Sequence, residues 1–513
     1  MHTKSQKQDR ESAVDFIIKK ILEGERKLDK LKRQASHMFH CSSLIKNPEI
    51  LERFPKNKLT KEIQLLLIKK PTRTLSGVTP IAVMIKPQGS CSYNCIYCPM
   101  PDLAAKSYTG FEPAALRARQ YGFDPYMQAL SRVEQFEGGG HSTDKCEVIV
   151  MGGTFLQMNP TYKKSFIKGI YDGLNGFKSQ SLASAMKHNE TAKHRAIGLT
   201  IETRPDVCTK YINEMLSYGA TRVELGVQHP DDKIYALVQR GHKVKDVTDS
   251  TKKLKDSAFK VLYHIMPGLP GSSPKKDIKF VKKLFADENF RPDMLKIYPT
   301  LVVGGTKLER MAKSGKYIPY SAEEAADIIS EFYRYIPNYV RVMRIQRDIP
   351  SPKIQSGVKK SNLRELVEAK IREKKIIPNE IRYREVGLQK RKLDLSDFEL
   401  KITEYKANGG KEFFISYENE GILAGFIRLR FPKNSSALIR ELHVYGAEVP
   451  LDGEGKVQHM GFGNNLLKKA EEISQDNNKD EILIISGVGV REYYRKKGYT
   501  LSKTYMRKKL PLH

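Results

Sequence analysis

Ser90-Cys91-Ser92-Tyr93-Asn94-Cys95-Ile96-Tyr97-Cys98-Pro99 places three cysteines within eight residues. Three thiolates at Cys-x₃-Cys-x₂-Cys spacing can hold three corners of a four-iron cluster, whereas most cluster sites use four protein thiolates. The missing fourth ligand leaves one iron open to a substrate or cofactor. The cysteines follow Ile81-Ala82-Val83-Met84-Ile85, an apolar run of strand character. A ligand-bearing loop at the end of a strand is where α/β proteins place their chemistry. Structural zinc is the main rival, but it wants four Cys or His ligands. His141 and Cys146 are distant, and the chain has no second Cys-x₂-Cys pair.

Outward from this loop, residues 78–347 repeat one theme: a short apolar run, a polar loop, then a helix-like segment. The runs are Ile81–Ile85, Glu147–Met151, Ala196–Ile201, Arg222–Val227, Lys260–Ile265 and Met294–Tyr298. Such alternation predicts a parallel sheet built from βα units. Six units suit a partial (β/α)6 barrel, with the site at the C-terminal ends of its strands. Those ends carry Gly152-Gly153-Thr154, Glu202-Thr203-Arg204-Pro205, Gln228, Pro267–Gly271 and Pro299-Thr300. The cysteine spacing, with Tyr97 before the last thiol, resembles the signature of the radical S-adenosylmethionine (SAM) enzymes.

Residues 348–385 read as a connector: Ser351-Pro352 and Ser356-Gly357 break the pattern, and a charged helix from Leu363 to Lys374 follows. Beyond 386 strand-like runs come in succession, as in an antiparallel sheet, at Glu412–Tyr417, Leu423–Leu429, Ala437–Val444 and Ile482–Ile485. After Glu441-Leu442-His443-Val444 comes Gln458-His459-Met460-Gly461-Phe462-Gly463, leading into Asn464, Asn465, Leu466 and Leu467. Glycines at a helix start expose N–H groups that bind a pyrophosphate. Strand, glycine loop, helix and later strand resemble the GNAT acetyltransferase fold, an α+β domain that binds acetyl-CoA. Tyr493 and Tyr494 stand where that family often has a tyrosine near the thioester.

The 513 residues, 40% of them hydrophobic, suggest two or three domains. No apolar stretch reaches the roughly 20 residues that span a bilayer, and the polar N-terminus lacks a secretory core. Cys41, Cys146 and Cys208 are left as idle thiols, which fits a reducing, cytoplasmic setting. The net charge of +30 favours a polyanionic partner, most simply nucleic acid. Residues 1–75 carry 18 Lys/Arg against 9 Asp/Glu, on an expected helix through Val14, Ile17, Ile18 and Ile21. The chain has no Trp, but 25 Tyr and 20 Phe are available to stack on bases.

Radical SAM followed by GNAT, with Ser107–Pro113, Met151–Phe155, Arg341–Pro350, Arg440–Tyr445 and Ile485–Val490, resembles the family of Elongator catalytic subunits from about residue 75 onward. The resemblance implies 1–75 as a basic helical tRNA-binding segment, 76–347 as the radical-SAM domain, 348–385 as a linker and 386–513 as the GNAT domain. It implies a tRNA acyltransferase that binds the anticodon arm and makes 5-carboxymethyluridine at the wobble position. A SAM-derived radical would activate the acetyl-CoA methyl group, which then joins C5 of the base. Cys91, Cys95 and Cys98 would hold a [4Fe-4S] cluster, and Gly152, Gly153, Glu202 and Gln228 would lie at SAM. Lys145, Glu441–Val444, Gln458, Gly461, Phe462, Gly463, Asn464, Asn465, Tyr493 and Tyr494 would contact acetyl-CoA. Lys296 and Tyr298 of Lys-x-Tyr-Pro-Thr, with Tyr494, would stand near the reacting groups. An external electron donor is implied, other Elongator subunits are not, and monomer and homodimer both stay open. Met100-Pro101 replaces the double glycine that often follows the last cysteine. The rivals are a protein lysine acetyltransferase with a structural cluster, and a non-catalytic tRNA-binding protein.

Overall fold

The computed structural model describes residues 4–68, 77–87, 91, 93–99, 102–389, 394–433, 435–445 and 461–511. Seven parallel strands form the first sheet: β1 (Thr79–Met84), β2 (Lys145–Met151), β3 (Arg195–Thr203), β4 (Arg222–Gln228), β5 (Lys260–Ile265), β6 (Met294–Ile297) and β7 (Arg341–Ile345), neighbours in chain order. This is the half-barrel expected from the alternating apolar runs, with one strand more. β7 pairs parallel to β6. Its Arg-Val-Met-Arg-Ile sequence hides it, because two arginines interrupt the apolar run.

The period-2 geometry of a strand sorts side chains between two environments. On β2, Cys146, Val148 and Val150 are fully buried under the outer helices, whereas Glu147, Ile149 and Met151 are half-buried and line the bore. On β4 the inward row is Arg222, Glu224, Gly226 and Gln228.

Residues 348–385, expected as a connector, are packed into the main core. Leu363, Val367 and Ile371 recur every four residues on the helix Leu363–Glu373, which lies against the helix Ala322–Phe332. Glu380 is buried and accepts from the Val342 and Arg382 N–H groups, tying the segment to β7. The charged residues that suggested a solvated helix occupy its outer face, except Arg364, which is half-buried and donates to Val342 C=O of β7.

The second sheet is mixed. It runs β8 (Glu399–Ala407), β9 (Gly410–Asn419), β10 (Ile422–Phe431), β11 (Ala437–Val444), β12 (Glu481–Ile484), β14 (Tyr505–Lys509) and β13 (Thr500–Ser502), in that order across the sheet. Among the described residues of this sheet, only β11 and β12 pair in parallel, over Ala437–Ile439 and Ile482–Ile484. Beyond Ile439 they part, and Glu441–Val444 pairs with β10 alone. The helix Phe462–Asp476 packs on β10 and β11. A sheet whose parallel pair splays apart, with this helix packed on it, is the arrangement expected of the GNAT-type domain, although one pair of its strands is parallel where an antiparallel sheet was expected.

The second sheet closes the N-terminal end of the half-barrel. Arg440 of β11 donates to both oxygens of Asp293, just before β6, at 2.7 and 2.6 Å, and to Glu412 of β9 at 2.9 Å. Arg430 joins Glu412 to Asp256, and Arg491 and Arg495 reach Glu190. Four helices, α1 (Lys4–Leu22), α2 (Leu28–Met38), α3 (Asn47–Arg53) and α4 (Lys61–Leu67), bury Val14, Ile17, Ile21, Leu31 and Ile50 in a small core of their own. Among the described residues no helix is long and apolar enough to cross a membrane.

Candidate active site at the mouth of the half-barrel

One cavity of ≈ 530 Å³ runs from the cysteine loop down the bore to Glu147 and Arg222. Cys91, Cys95 and Cys98 all line it and all carry free thiols. The loop is pinned by short backbone bonds: Cys98 N–H to Cys95 C=O, Ile96 N–H to Val238 C=O, and Leu308 N–H to Ile96 C=O. Burial raises the Cys98 thiol to about 11. Burial also works against the Cys95 thiolate, but Arg240 overcomes it and brings that thiol below its ordinary value. The Arg240 guanidinium donates to Gly226 C=O at 2.6 Å and to Cys95 Sγ at 3.6 Å. Neither Cys41, Cys146 nor Cys208 lines the cavity, so the donor set there is three sulfurs. Thr203 Oγ1, Arg204 NH1 and Glu224 Oε1 face the same space buried and without a hydrogen-bond partner. Three thiols lining one cavity, beside polar atoms that lack a hydrogen-bond partner, fit a cluster with one open iron and a polar ligand.

Glycines shape the wall. Gly152 has φ +129°, and a Cβ there would meet Ile85 Cγ1 at 2.6 Å. Its N–H donates to Glu202 Oε2 at 3.2 Å, and Tyr108 donates to the same oxygen at 2.7 Å. Gly241 leaves room for the Tyr93 ring, which carries the Arg204 guanidinium 3.9 Å from its centroid. Gln228 takes φ +68° at the end of β4 while its C=O accepts from Met266 N–H at 2.7 Å.

Deeper in the bore, Glu224 Oε2 accepts from Lys296 and from His264 Nε2. Burial would raise this carboxyl, but Lys296, His264 and Arg222 hold it well below the usual carboxylate range. Burial likewise disfavours the Lys296 ammonium, yet Glu224 outweighs it and keeps Lys296 charged. The His264 ring stands edge-on to Tyr298, 5.3 Å between centroids, and burial raises the Tyr298 hydroxyl.

Lys296, Tyr298, Gly153, Glu202 and Gln228 therefore meet the cysteines in one cavity, and Gly152 borders it through Glu202. The residues expected at acetyl-CoA form a second group. Gly461, with φ +72°, caps the helix whose first residues are Phe462, Gly463, Asn464 and Asn465. A Cβ at Gly463 would lie 3.3 Å from the Tyr493 hydroxyl and 3.7 Å from Val444. Phe462 stacks on Tyr417 at 4.4 Å. Tyr494 is buried in the core of the second sheet and does not line the cysteine cavity, so it stands apart from Lys296 and Tyr298. Gln458 lies outside the described residues. Lys145 opens β2 and is buried. Glu441, close to Lys260 at 3.8 Å, and the half-buried His443 lie at the barrel's closed end.

Sequence reading missed Tyr108, Glu224, His264, Arg240 and the Tyr93–Arg204 pair. A signal for Glu224 exists: in Arg222-Val-Glu224-Leu-Gly226-Val-Gln228 the polar residues and the glycine alternate with apolar ones, which marks one strand face as a lined cavity.

A half-barrel with three cysteines at its mouth defines a radical SAM protein. The radical SAM superfamily pattern matches residues 85–284, and the Radical_SAM C-terminal domain matches 292–373. The tRNA uridine(34) acetyltransferase of Methanocaldococcus infernus is 44% identical over 97% of this chain and 98% of its own. Elongator complex protein 3 of Homo sapiens is 40% identical over 97% and 96%. The solved structure of archaeal Methanocaldococcus infernus Elp3, lacking its N-terminus, superposes with TM-score 0.76 at 45% identity, covering 85% of this chain and 100% of that one. The chain belongs to the family of tRNA uridine(34) acetyltransferases and Elongator complex protein 3, and is an enzyme of the acyltransferase class.

Proposed function

We propose that this protein uses SAM and acetyl-CoA to place a carboxymethyl group on C5 of the wobble uridine of tRNA. The observation that carries this reading is the cavity with three free thiols at one end and Lys296, Glu224 and His264 along the bore; the Glu441–Val444 strand of the second sheet lies outside it, beside Lys260 at the barrel's closed end. Cys91, Cys95 and Cys98 would hold the [4Fe-4S] cluster, with Arg240 adding a hydrogen bond to sulfur. A cluster with an open iron, when bound, supplies the electron that splits the SAM sulfonium.

The chain's own groups do the positioning. Gly152 leaves room for the Ile85 side chain behind the wall, and Glu202, held by Tyr108 and Gly152 N–H, would present a fixed acceptor to SAM. Lys296 is kept as an ammonium by Glu224, so it offers a positive charge to the acyl oxygen or to the carboxylate product. Tyr298 stays protonated and can donate a hydrogen bond. Half-barrel walls would shield the reacting carbon, and one water would then hydrolyse the thioester, releasing CoA and leaving the carboxylate. The turn Gly461–Asn465 and Glu441–Val444 would receive the pyrophosphate and pantetheine arm of acetyl-CoA, with Tyr493 beside them. The basic helices α1–α4 would hold the anticodon arm through its phosphates, and the target base must leave its stack to enter the cavity.

The test is anaerobic. The protein is reconstituted with iron and sulfide, then given dithionite, SAM, acetyl-CoA and a tRNA with wobble uridine, beside Cys95→Ala. Carboxymethyluridine and 5′-deoxyadenosine formed only by the wild type are the expected result. Intact acetyl transferred to lysine, with no SAM cleavage, would replace this reading by that of a protein acetyltransferase.

A further inference from the structure

A second cavity, ≈ 690 Å³, shares Cys95, Cys98 and Pro99 with the first, so the cysteine loop is the wall between them. The two differ in their charged groups. The first mixes both signs, with Glu112, Glu147, Glu202, Glu224 and Asp348 beside seven Lys/Arg side chains. The described lining of the second contains Lys307, Arg310 and Lys353 and no carboxylate. Lys307 and Arg310 are exposed. Lys307 Nζ donates to the neutral Gln239 amide at 2.8 Å, and Lys353 Nζ sits 3.7 Å from the centroid of Phe111. The one acidic residue of the adjoining helix Lys307–Lys313, Glu309, is engaged by Lys313 at 2.9 Å and by Gly305 N–H at 2.8 Å. The groove is thus a positive surface whose floor includes two of the thiols proposed to hold the cluster.

From this we infer that the second groove is the docking surface for a small acidic one-electron carrier protein, which reduces the cluster through the Cys95–Cys98 wall. The carrier is oxidised by one electron and the cluster is reduced by one; no bond forms or breaks in the exchange. The inference rests on the proposed reading of the cysteines as cluster ligands. Substrate enters the first cavity, so a carrier seated in the second reaches the same sulfurs without competing for that space. A single-signed patch accelerates encounter with an oppositely charged partner. RNA is the less suited occupant: Lys353 already covers a face of Phe111, the only aromatic ring in the described lining, so stacking on bases is impeded.

The test compares Lys307→Glu/Arg310→Glu with wild type, using fully reduced flavodoxin as the acidic probe and dithionite as a small reductant that needs no docking. Stopped-flow absorbance follows cluster reduction, and calorimetry follows flavodoxin binding to both cluster-loaded and cluster-free protein. The expected result is a fall of about tenfold or more in the flavodoxin rate constant at low salt. Flavodoxin affinity should fall with it, while dithionite reduction and tRNA affinity stay unchanged. Rising salt should slow the wild-type flavodoxin reaction but not the dithionite one.

An unchanged flavodoxin rate overturns the inference. So does a loss of tRNA affinity, alone or together with carrier affinity, because the groove would then be an RNA surface. If the charge-reversed protein fails to load a cluster, Lys307→Gln/Arg310→Gln and the wild-type salt dependence decide by the same criteria. Failure of dithionite to reduce the wild-type protein would instead count against the proposed function, which keeps the two failures distinct.

Discussion

Replacing Arg440 by Met removes the cation that joins the two sheets while keeping much of its volume. Arg440 is buried with Asp293 and Glu412, all fully out of solvent. Its guanidinium donates to both Asp293 oxygens, to Glu412 at 2.9 and 3.2 Å, and to Phe259 C=O at 3.0 Å. Breaking a buried pair by removing one partner costs about 3–5 kcal/mol, since the other charge stays buried. Here Lys255 lies 3.9 Å from Asp293 and 3.7 Å from Glu412, Arg430 lies 2.9 Å from Glu412, and Arg428 lies 3.7 Å from Asp293. These cations partly compensate, so the lower end, about 3 kcal/mol, is expected. Denaturant unfolding followed by circular dichroism measures the total. Hydrogen exchange at Val261 N–H, which donates to Asp293 at 2.8 Å, reports the local opening. Asp293→Asn closes a double-mutant cycle, with a coupling of about 1.5 kcal/mol or more expected for residues in contact. A cost below about 1 kcal/mol, or additive single effects, would refute the view that this ion cluster holds the second sheet on the barrel.

Three further changes probe the site and the interface. Gly152→Ala places a methyl group against Ile85 in a left-handed backbone, a strain of about 1–3 kcal/mol, so SAM affinity should fall about tenfold; unchanged binding by calorimetry would remove Gly152 from the SAM wall. Glu224→Gln removes the strongest influence that opposes burial at Lys296, leaving only Tyr298 and Glu202 on that side, so its pKa should fall and the alkaline limb of the turnover profile should move to lower pH. An unmoved limb would mean that Lys296 charge does not govern turnover. For Glu190, burial pushes the carboxyl up, but Arg495, Lys187 and Arg491 outweigh it and bring it from 4.5 to about 2. A depressed carboxyl stabilises the fold above its unfolded pKa and loses that contribution as pH falls through its folded one. Glu190→Gln should therefore be less stable than wild type at neutral pH, and the two acid-unfolding curves should converge as pH falls from 4.5 toward 2; parallel curves would contradict the pairing.

Local patterns in the chain were enough for the half-barrel, four strands of the second sheet and the cysteine loop; the parallel pairing that makes that sheet mixed was not legible. Apolar runs of strand length mark β1 to β6 because each is buried on its outer face, and the thiol spacing is a property of eight consecutive residues. β7 escaped notice, and so did the packing of the expected helix Leu363–Glu373, because their apolar positions are interrupted by charges and no local signal says which face meets a core. The grouping at the site was decided by tertiary structure alone. Glu202, Glu224, His264 and Lys296 come from four strands, and only parallel register brings them to one cavity. The same holds for Arg440 and Asp293, 147 residues apart. Charge, burial and partner are properties of the assembled environment: Glu224 is one more acidic residue in the chain, and becomes the counter-ion of Lys296 only where two strands place them together away from water.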